Sequence, residues 1–232
     1  MTSGKILETA AGTGIVTEAL AASLPAAVEI TATDLNQAML DYAATKPGLR
    51  RTRLQQANAQ ELPFPEASFD AVICQFGVMF FPDRVQGFKE ARRVLKPGGR
   101  LIFNVWDKIG AIPILDAVAW ALKHRYPAHA SWFIERTPCG YHDEGRIRAD
   151  LSAAGFTHCK LEKVALSGPV KDYHDPAIGL CQGSPMGAEI EEVDPGGLNA
   201  ATEAVAALLA ERFGKGPFES PLSALVVEAR KS

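Results

Sequence analysis

Two glycines and one aspartate are the residues of this sequence whose spacing best suits a chemical role. Gly12 and Gly14 follow the apolar residues Ile6 and Leu7, and Asp34 lies 20 positions after Gly14. An apolar strand, a glycine turn, a helix and a second strand with an acidic end form the plan of nucleoside-binding α/β folds, in which the carboxylate accepts the ribose hydroxyls. The spacing therefore predicts a ligand that contains adenosine.

The residues around the glycines narrow the choice of ligand. A dinucleotide site uses a small residue three positions after its second glycine, and this chain has Thr17 there. A P-loop needs a lysine directly after its glycines, and none follows here. Glu8 precedes the glycines, and this arrangement suits a cofactor with an amino-acid tail. The alternative is that Gly12 and Gly14 only form a tight turn between a strand and a helix.

The composition is that of an ordinary globular protein. The chain has 232 residues, of which 47% are hydrophobic and 22% charged, and its net charge is −3. One domain with a large core, and with room for a small subdomain, is expected at this length. The charge argues against nucleic acid as a partner, so we interpret the cluster Arg50-Arg51-x-Arg53 as solvated. No apolar run reaches the ~18 residues that a membrane span requires.

The cysteines are scattered and lack the spacing of a zinc site or a disulfide framework. They are Cys74, Cys139, Cys159 and Cys181. We therefore expect reduced thiols in a cytoplasmic protein, and no metal centre.

Strand and helix patterns alternate through residue 106, which predicts a parallel sheet with right-handed crossovers. The predicted strands are 5–9, 28–33, 53–57, 69–75 and 100–105, and the predicted helices are 13–24, 36–45 and 83–95, the last stopped by Lys96-Pro97-Gly98-Gly99. Beyond residue 106 the pattern predicts helices at 114–126, 143–154, 172–181 and 198–213, a turn-rich segment at 183–187, and closing strands at 156–166 and 220–230.

Four motifs, in this order, resemble those of the class I S-adenosylmethionine-dependent methyltransferases, in particular the small-molecule branch of the ubiquinone/menaquinone-biosynthesis type. They are Glu8-Thr-Ala-Ala-Gly-Thr-Gly14, Asp34 before Leu35-Asn36-Gln37-Ala38-Met39, the segment from Asn58 to Asp70, and Arg92-Arg93-Val94-Leu95-Lys96-Pro97-Gly98-Gly99. The resemblance is dense from residue 5 to 106 and looser beyond it.

The resemblance implies a doubly wound, mostly parallel, seven-stranded Rossmann-like sheet with an antiparallel C-terminal strand and a helical lid insertion. Residues 1–106 would form the cofactor-binding half, and residues 107–232 the lid or substrate insertion and the closing strands of the same domain. The implied reaction is in-line transfer of a methyl group from S-adenosylmethionine to a small, largely apolar molecule, which leaves S-adenosylhomocysteine.

The same resemblance assigns a set of cofactor-binding residues. They are Glu8, Ala10, Gly12, Gly14, Asp34, Leu35, Met39, Asn58, Ala59, Gln60, Gln75 and Phe76. The chain departs from the family pattern at Ala10, where glycine is common, and at Asn58, where aspartate is common. Asp34 has an alternative role, as the N-cap of the following helix.

No residue is identified as the catalytic base, and His142, beside Tyr141 and Asp143, is the only histidine that we consider for it. The apolar residues after the fifth strand suit either an apolar acceptor site or a second small core. They are Trp106, Ile112, Ile114, Trp120, Trp132 and Phe133.

Two other functions stay open at this point: a protein that binds the cofactor without turnover, and a nicotinamide-dependent oxidoreductase. Related methyltransferases usually carry helices ahead of the first strand, which begins here about four residues from Met1. The true start could lie upstream, a partner chain could supply the cover, or the insertion after Trp106 could do so. We expect a homodimer, because uncovered apolar surface favours association. We also expect weak or undetectable turnover by the chain alone, because a pocket without a cover admits water.

Overall fold

The structure, a computed structural model, describes residues 2–232. Within them, the strands are β1 (Gly4–Thr9), β2 (Val28–Asp34), β3 (Arg53–Gln56), β4 (Phe69–Gln75), β5 (Leu95–Trp106), β6 (His158–Val170) and β7 (Phe218–Arg230). They form one seven-stranded sheet in the order β3-β2-β1-β4-β5-β7-β6.

Helices connect these strands and lie on both faces of the sheet. They are α1 (Ile15–Ser23), α2 (Gln37–Ala44), α3 (Arg84–Val94), α4 (Pro113–Arg125), α5 (Phe133–Arg136), α6 (Glu144–Ala153), α7 (His174–Cys181), α8 (Met186–Val193) and α9 (Leu198–Phe213). The predicted doubly wound, mostly parallel sheet is confirmed.

The parallel centre of the sheet consists of β1 between β2 and β4. Leu7 of β1 lies opposite Thr31 of β2 and Val72 of β4, and both Leu7 and Val72 are completely buried. A strand buried on both faces needs apolar residues on both faces, which explains why consecutive residues such as Ile6 and Leu7 in β1 and Ala71 and Val72 in β4 are apolar. The strand order reverses between β1 and β4, and ligands of open α/β sheets bind beyond the carboxyl ends of the strands at such a point.

The chain closes the sheet with antiparallel strands. Gly98, near the start of β5, donates its N–H to the carbonyl of Lys231, and Asp107, just after β5, donates to the carbonyl of Ser223. An early residue of one strand thus pairs with a late residue of the other, so β5 and β7 run antiparallel. The predicted start of β5 at residue 100 was too late, because Leu95 pairs with Phe69 of β4 and Gly98 and Gly99 pair with Lys231.

The chain divides into two compact units. The first consists of residues 1–105, 143–162 and 225–232, and it holds most of the sheet and α1, α2, α3 and α6. The second consists of residues 106–142 and 163–224, and it holds α4, α5, α7, α8 and α9 around a core of its own. The division into a cofactor half, 1–106, and a substrate half, 107–232, stays a prediction.

The core of the second unit decides between the two interpretations of its apolar residues. Ile114 and Trp132 are buried in it, and Phe133 packs against it, so the second-core interpretation is confirmed for these three. Two helices of this unit, α5 and α8, were not predicted. Pro185 precedes α8, and proline is well tolerated at the start of a helix. None of the helices in residues 2–232 is long and apolar enough to cross a membrane.

Candidate functional site

A cavity of about 450 Å³ lies beyond the carboxyl ends of β1, β2 and β4, where the strand order reverses. This volume falls within the roughly 300–1,000 Å³ of small-molecule sites. The cavity is lined by Ala10, Asp34, Leu35, Ala57, Asn58, Ala59, Gln60, Phe76, Gly77, Phe80, Phe81 and Pro82. All of these residues belong to the first unit.

Asp34 is the acidic residue of this cavity. Its Oδ2 accepts the N–H of Gly12 at 2.8 Å, and its Oδ1 accepts the N–H of Asn36 at 2.8 Å. A carboxylate has about four acceptor positions, so roughly one on each oxygen remains for a ligand. The ribose of a nucleoside presents two hydroxyl donors, which match that number.

The proposed alternative role of Asp34 as a helix N-cap is wrong. The N-cap of α2 is Asn36, whose Oδ1 accepts the N–H of Ala38 at 3.0 Å. Asp34 instead ties the end of β2 to the glycine loop that follows β1. This tie holds the loop at a fixed distance from the carboxylate.

The glycine loop contains three residues in the left-handed backbone region. Gly12 and Gly14 have φ of 56° and 76°, and Ala10 has φ of 53°. A Cβ added to Gly14 would lie 2.7 Å from Cδ1 of Leu49 and 3.2 Å from Cβ of Ala43. Glycine is therefore required at position 14 by both conformation and space, because Ala43 of α2 and Leu49 after it leave no room for a side chain there.

Glu8 lies beneath this loop and is 2% exposed. Thr17 of α1 donates its hydroxyl to Oε2 of Glu8 at 2.6 Å. Thr17, which replaces the small residue of a dinucleotide site, therefore forms the hydrogen bond that holds the buried Glu8 carboxyl. Burial raises the pKa of Glu8 to about 7, and the hydrogen bond from Thr17 opposes that shift. Glu8 therefore changes its charge near neutral pH.

Two large apolar side chains are exposed in the wall of the cavity, and a flat ring could pack against them. Leu35 is 68% exposed and Phe80 is 51% exposed, both unusually open for large apolar residues in a globular protein. Asn58, in the same cavity, accepts the N–H of Gln60 at 3.0 Å through Oδ1. Because its oxygen is engaged in this way, the NH2 group of Asn58 is the part of the amide that could donate to a ligand.

The loop that contains Asn58 and Gln60 is anchored by hydrogen bonds to the N-terminal end of α3. Gln60 accepts the N–H of Asp83 through Oε1 at 2.6 Å, and its own carbonyl accepts Nε2 of Gln86 at 3.2 Å. Gln60 therefore fixes one wall of the cavity, since its side chain is engaged with the N-terminus of α3.

The structure brings together seven of the twelve predicted cofactor residues. Those that line the cavity are Ala10, Asp34, Leu35, Asn58, Ala59, Gln60 and Phe76. Gly12 and Gly14 belong to the glycine loop, where Gly12 donates its N–H to Asp34 and Gly14 lies against Leu49, and Glu8 lies beneath that loop. Met39 is exposed on α2, and Gln75 lines a separate groove of about 160 Å³ with Asn104. The roles of all twelve toward a cofactor stay predictions.

Sequence reasoning missed five residues of the cavity wall: Ala57, Gly77, Phe80, Phe81 and Pro82. The available signal was the apolar run that follows β4, from Phe76 to Phe81. Within it, Met79 is buried whereas Phe80 is exposed toward the cavity, a distinction that depends on how this loop folds.

The predicted base candidate lies in the second unit. His142 is half-buried, and its Nδ1 lies 2.7 Å from the carbonyl oxygen of Cys139. A carbonyl only accepts, so Nδ1 carries the proton and Nε2 of the neutral ring has a free lone pair. In the same unit, Asp107 is buried and accepts hydrogen bonds from Ser223 at 2.8 Å and from Lys163 at 2.9 Å.

A larger cavity, of about 680 Å³, lies at the opposite, amino end of the strands. Lys5, Glu29 and Arg53 are among the residues that line it. We place the functional site at the carboxyl ends instead, because that is where open α/β sheets bind ligands and where Asp34 and the glycine loop converge.

Comparison with known proteins agrees with this geometry. The family model Methyltransf_11, described as a methyltransferase domain, matches residues 7–103. The demethylmenaquinone methyltransferase of Deinococcus radiodurans is 44% identical over 100 residues, which cover 42% of this chain and 41% of the relative. The ubiquinone/menaquinone biosynthesis C-methyltransferase UbiE of Geotalea daltonii is 40% identical over 103 residues, 43% of this chain and 44% of the relative. The chain therefore spans less than half the length of these two relatives.

Solved structures share the fold at low sequence identity. A phosphoethanolamine N-methyltransferase of Haemonchus contortus, in complex with S-adenosylhomocysteine, matches all of this chain and 50% of its own with a TM-score of 0.59 and 14% identity. The [4+2]-cyclase SpnF matches 99% of this chain and 75% of its own, with a TM-score of 0.58 and 20% identity. Because a cyclase and a methyltransferase share this fold, the fold alone leaves the reaction open.

Proposed function

We propose that this chain is a class I S-adenosylmethionine-dependent methyltransferase that methylates a small acceptor of the quinone type. The match of a methyltransferase-domain model to residues 7–103 supports this proposal. S-adenosylmethionine is the methyl donor, and S-adenosylhomocysteine is the product. The acceptor class is proposed from the names of the two curated relatives, which act in menaquinone and ubiquinone biosynthesis.

The single observation that carries the proposal is the position of Asp34. Its carboxylate lies in a cavity with apolar walls at the strand-order reversal, and it retains acceptor capacity while holding the glycine loop. Asp34 would hold the two ribose hydroxyls of the donor, Leu35 and Phe80 would pack against its adenine ring, and Asn58 would bind the ring edge. Ala10 and Phe76 would contact its amino-acid tail.

The bound donor supplies a methyl group on a positively charged sulfur, which is already activated toward nucleophiles. The residues of this chain then have to hold the donor, exclude water and keep the acceptor in line with the methyl group. Ala10, Gly77 and Phe76 present backbone and apolar groups at that end of the cavity, where strong competing nucleophiles are lacking among the lining residues.

A quinone-type acceptor reacts through a ring carbon once a neighbouring hydroxyl has lost its proton, so a base assists the reaction. We propose His142 as that base, because the Cys139 carbonyl fixes its Nδ1–H tautomer and leaves Nε2 to accept a proton. Replacement by glutamine should lower turnover at neutral pH and leave S-adenosylhomocysteine affinity unchanged. Equal pH profiles for wild type and His142→Gln would contradict this role.

The proposed function is tested by two measurements. First, S-adenosylhomocysteine should raise the melting temperature and NAD should not; the reverse result would support an oxidoreductase. Second, radiolabelled methyl donor should label reduced quinone acceptors of the demethylmenaquinone type. Donor binding without labelling of any acceptor in a panel of quinols, phenols and amines would favour a binding protein without turnover.

We also propose that the chain forms a homodimer in a reducing, cytoplasmic compartment. Ile15 of α1 is 70% exposed, and Ile73, Ile102 and Val226 line the apolar groove beside Asn104, which together offer apolar surface for association. The four cysteines are free thiols, which suits the compartment. Light scattering that gives the mass of one chain would contradict the dimer.

A further inference from the structure

Phe76 has a backbone conformation that its residue type disfavours. It follows the last residue of β4, and its φ is 50°, in the left-handed region. A bulky residue with positive φ is a genuine outlier, and the conformation persists only where neighbouring groups hold it. Because Phe76 lines the cavity beyond β4, the outlier lies at the candidate site.

Asn104 of β5 holds that conformation. Phe76 donates its N–H to Oδ1 of Asn104 at 2.8 Å and also approaches the carbonyl oxygen of Asn104 at 3.2 Å. The second contact continues the parallel ladder in which Gln75 lies opposite Asn104. The side-chain contact is shorter, and it adds an acceptor that the ladder alone does not supply.

The turn at Phe76 sets the path of the residues that follow it. Gly77 comes so close to the loop after β1 that a Cβ there would lie 2.5 Å from Cβ of Ala10 and 2.8 Å from Sγ of Cys74. A short 3-10 helix, Val78–Phe80, begins next and ends with the exposed Phe80. One cavity wall therefore depends on the backbone turn at Phe76, whose N–H is accepted by Asn104 of β5.

We propose that Asn104 is a positioning residue for the cofactor cavity, acting through the left-handed conformation of Phe76. This inference rests on the proposed function, since the cavity is the proposed site of S-adenosylmethionine. Asn104 does not line the cavity; it faces the groove beside Ile73 and Ile102. If Asn104 loses its Oδ1, the turn at Phe76 samples other conformations. The affinity for the ligand then falls in proportion to the fraction of molecules in which the turn, and with it the cavity wall, keeps the conformation that binds.

The first experiment compares two substitutions of similar size. Asn104→Leu removes the acceptor, and it should weaken S-adenosylhomocysteine binding by about five- to tenfold, the range expected for one lost hydrogen bond. Asn104→Asp retains an acceptor oxygen, and its affinity should stay within about twofold of wild type by the same reasoning. Affinities come from calorimetry, and circular dichroism checks that each variant is folded.

The second experiment repeats Asn104→Leu in a Phe76→Gly background. Glycine adopts the left-handed region readily, so the turn no longer needs Asn104, and the loss of affinity and of melting temperature caused by Asn104→Leu should shrink. An Asn104→Leu effect of the same size in both backgrounds would overturn the inference, because Asn104 would then act by another route.

The outcomes separate this inference from the proposed function. Wild type that binds S-adenosylhomocysteine, together with Asn104→Leu that binds it equally well, overturns the role of Asn104 and leaves the function intact. Wild type that does not bind S-adenosylhomocysteine at all contradicts both. Asn104→Leu that binds weakly while Asn104→Asp binds normally, with the effect reduced in the Phe76→Gly background, supports the inference.

Discussion

The hydroxyl of Thr17 lies 2.6 Å from Oε2 of Glu8, and both side chains are buried between β1 and α1. A buried carboxyl is usually paired with a cation or protonated. Here its described partner is a neutral hydroxyl, and burial raises the pKa of Glu8 to about 7. The base of the glycine loop is therefore sensitive to pH.

The stability of the protein should fall as pH rises through that value. In the unfolded chain the Glu8 carboxyl loses its proton near pH 4.5, and in the folded chain only near pH 7. The stabilising contribution of the protonated form is complete below about pH 4.5 and is lost above about pH 7. Over this window wild type should lose roughly 3 kcal/mol relative to Glu8→Gln, which cannot ionise.

Urea unfolding of both proteins from pH 4 to pH 8 measures that difference. Thr17→Val serves as a companion, because it removes the opposing hydrogen bond and should move the transition to higher pH. A constant stability difference between wild type and Glu8→Gln across the range would show that Glu8 does not titrate there.

Ala10→Gly should preserve or raise stability, by up to about 1 kcal/mol, because alanine with φ of 53° is strained and glycine is not. The neighbouring Ala11 provides the control, since its φ is not positive. Ala11→Gly should destabilise by about 0.5–1 kcal/mol through the added freedom of the unfolded chain. Thermal unfolding of the two variants side by side gives the comparison, and equal losses would refute the strain at Ala10.

Gly14→Ala should be clearly more harmful than Gly12→Ala. Both positions have positive φ, which should cost about 1–2 kcal/mol for alanine. A Cβ at Gly12 meets nothing within 4 Å, whereas one at Gly14 overlaps the buried Leu49. Overpacking should add roughly 1–3 kcal/mol at Gly14 only. Unfolding free energies decide, and similar losses at both positions would contradict the tight packing around Gly14.

The sequence predicted best what local patterns determine. The centre of the sheet follows from apolar residues buried on both faces, such as Leu7 and Val72, and the position of Asp34 at the end of β2 follows from its spacing to Gly14. Helix α9 was predicted with its observed bounds because its Ala/Leu pattern is long.

Features that depend on distant partners could not be predicted in this way. The exposure of Phe80 follows from the turn at Phe76, whose hydrogen-bond acceptor lies on another strand. The early start of β5 depends on the pairing of Leu95 with Phe69 of β4 and on the hydrogen bonds of Gly98 and Gly99 with Lys231. The glycines and proline ahead of α8 indicated a turn, yet Met186 and Ile190 are buried in the core of the second unit, and that burial stabilises a helix.

The central claim is that Asp34 anchors the ribose of an adenosine cofactor in the cavity beyond β1, β2 and β4. Calorimetric titration of S-adenosylhomocysteine into wild type, Asp34→Ala and the exposed-site control Asp41→Asn tests it most directly. A charge-assisted hydrogen bond contributes about 1.5–3 kcal/mol, so Asp34→Ala should bind about tenfold or more weakly while Asp41→Asn binds as wild type does. Equal affinity of Asp34→Ala and wild type, or no binding by wild type, would contradict the claim.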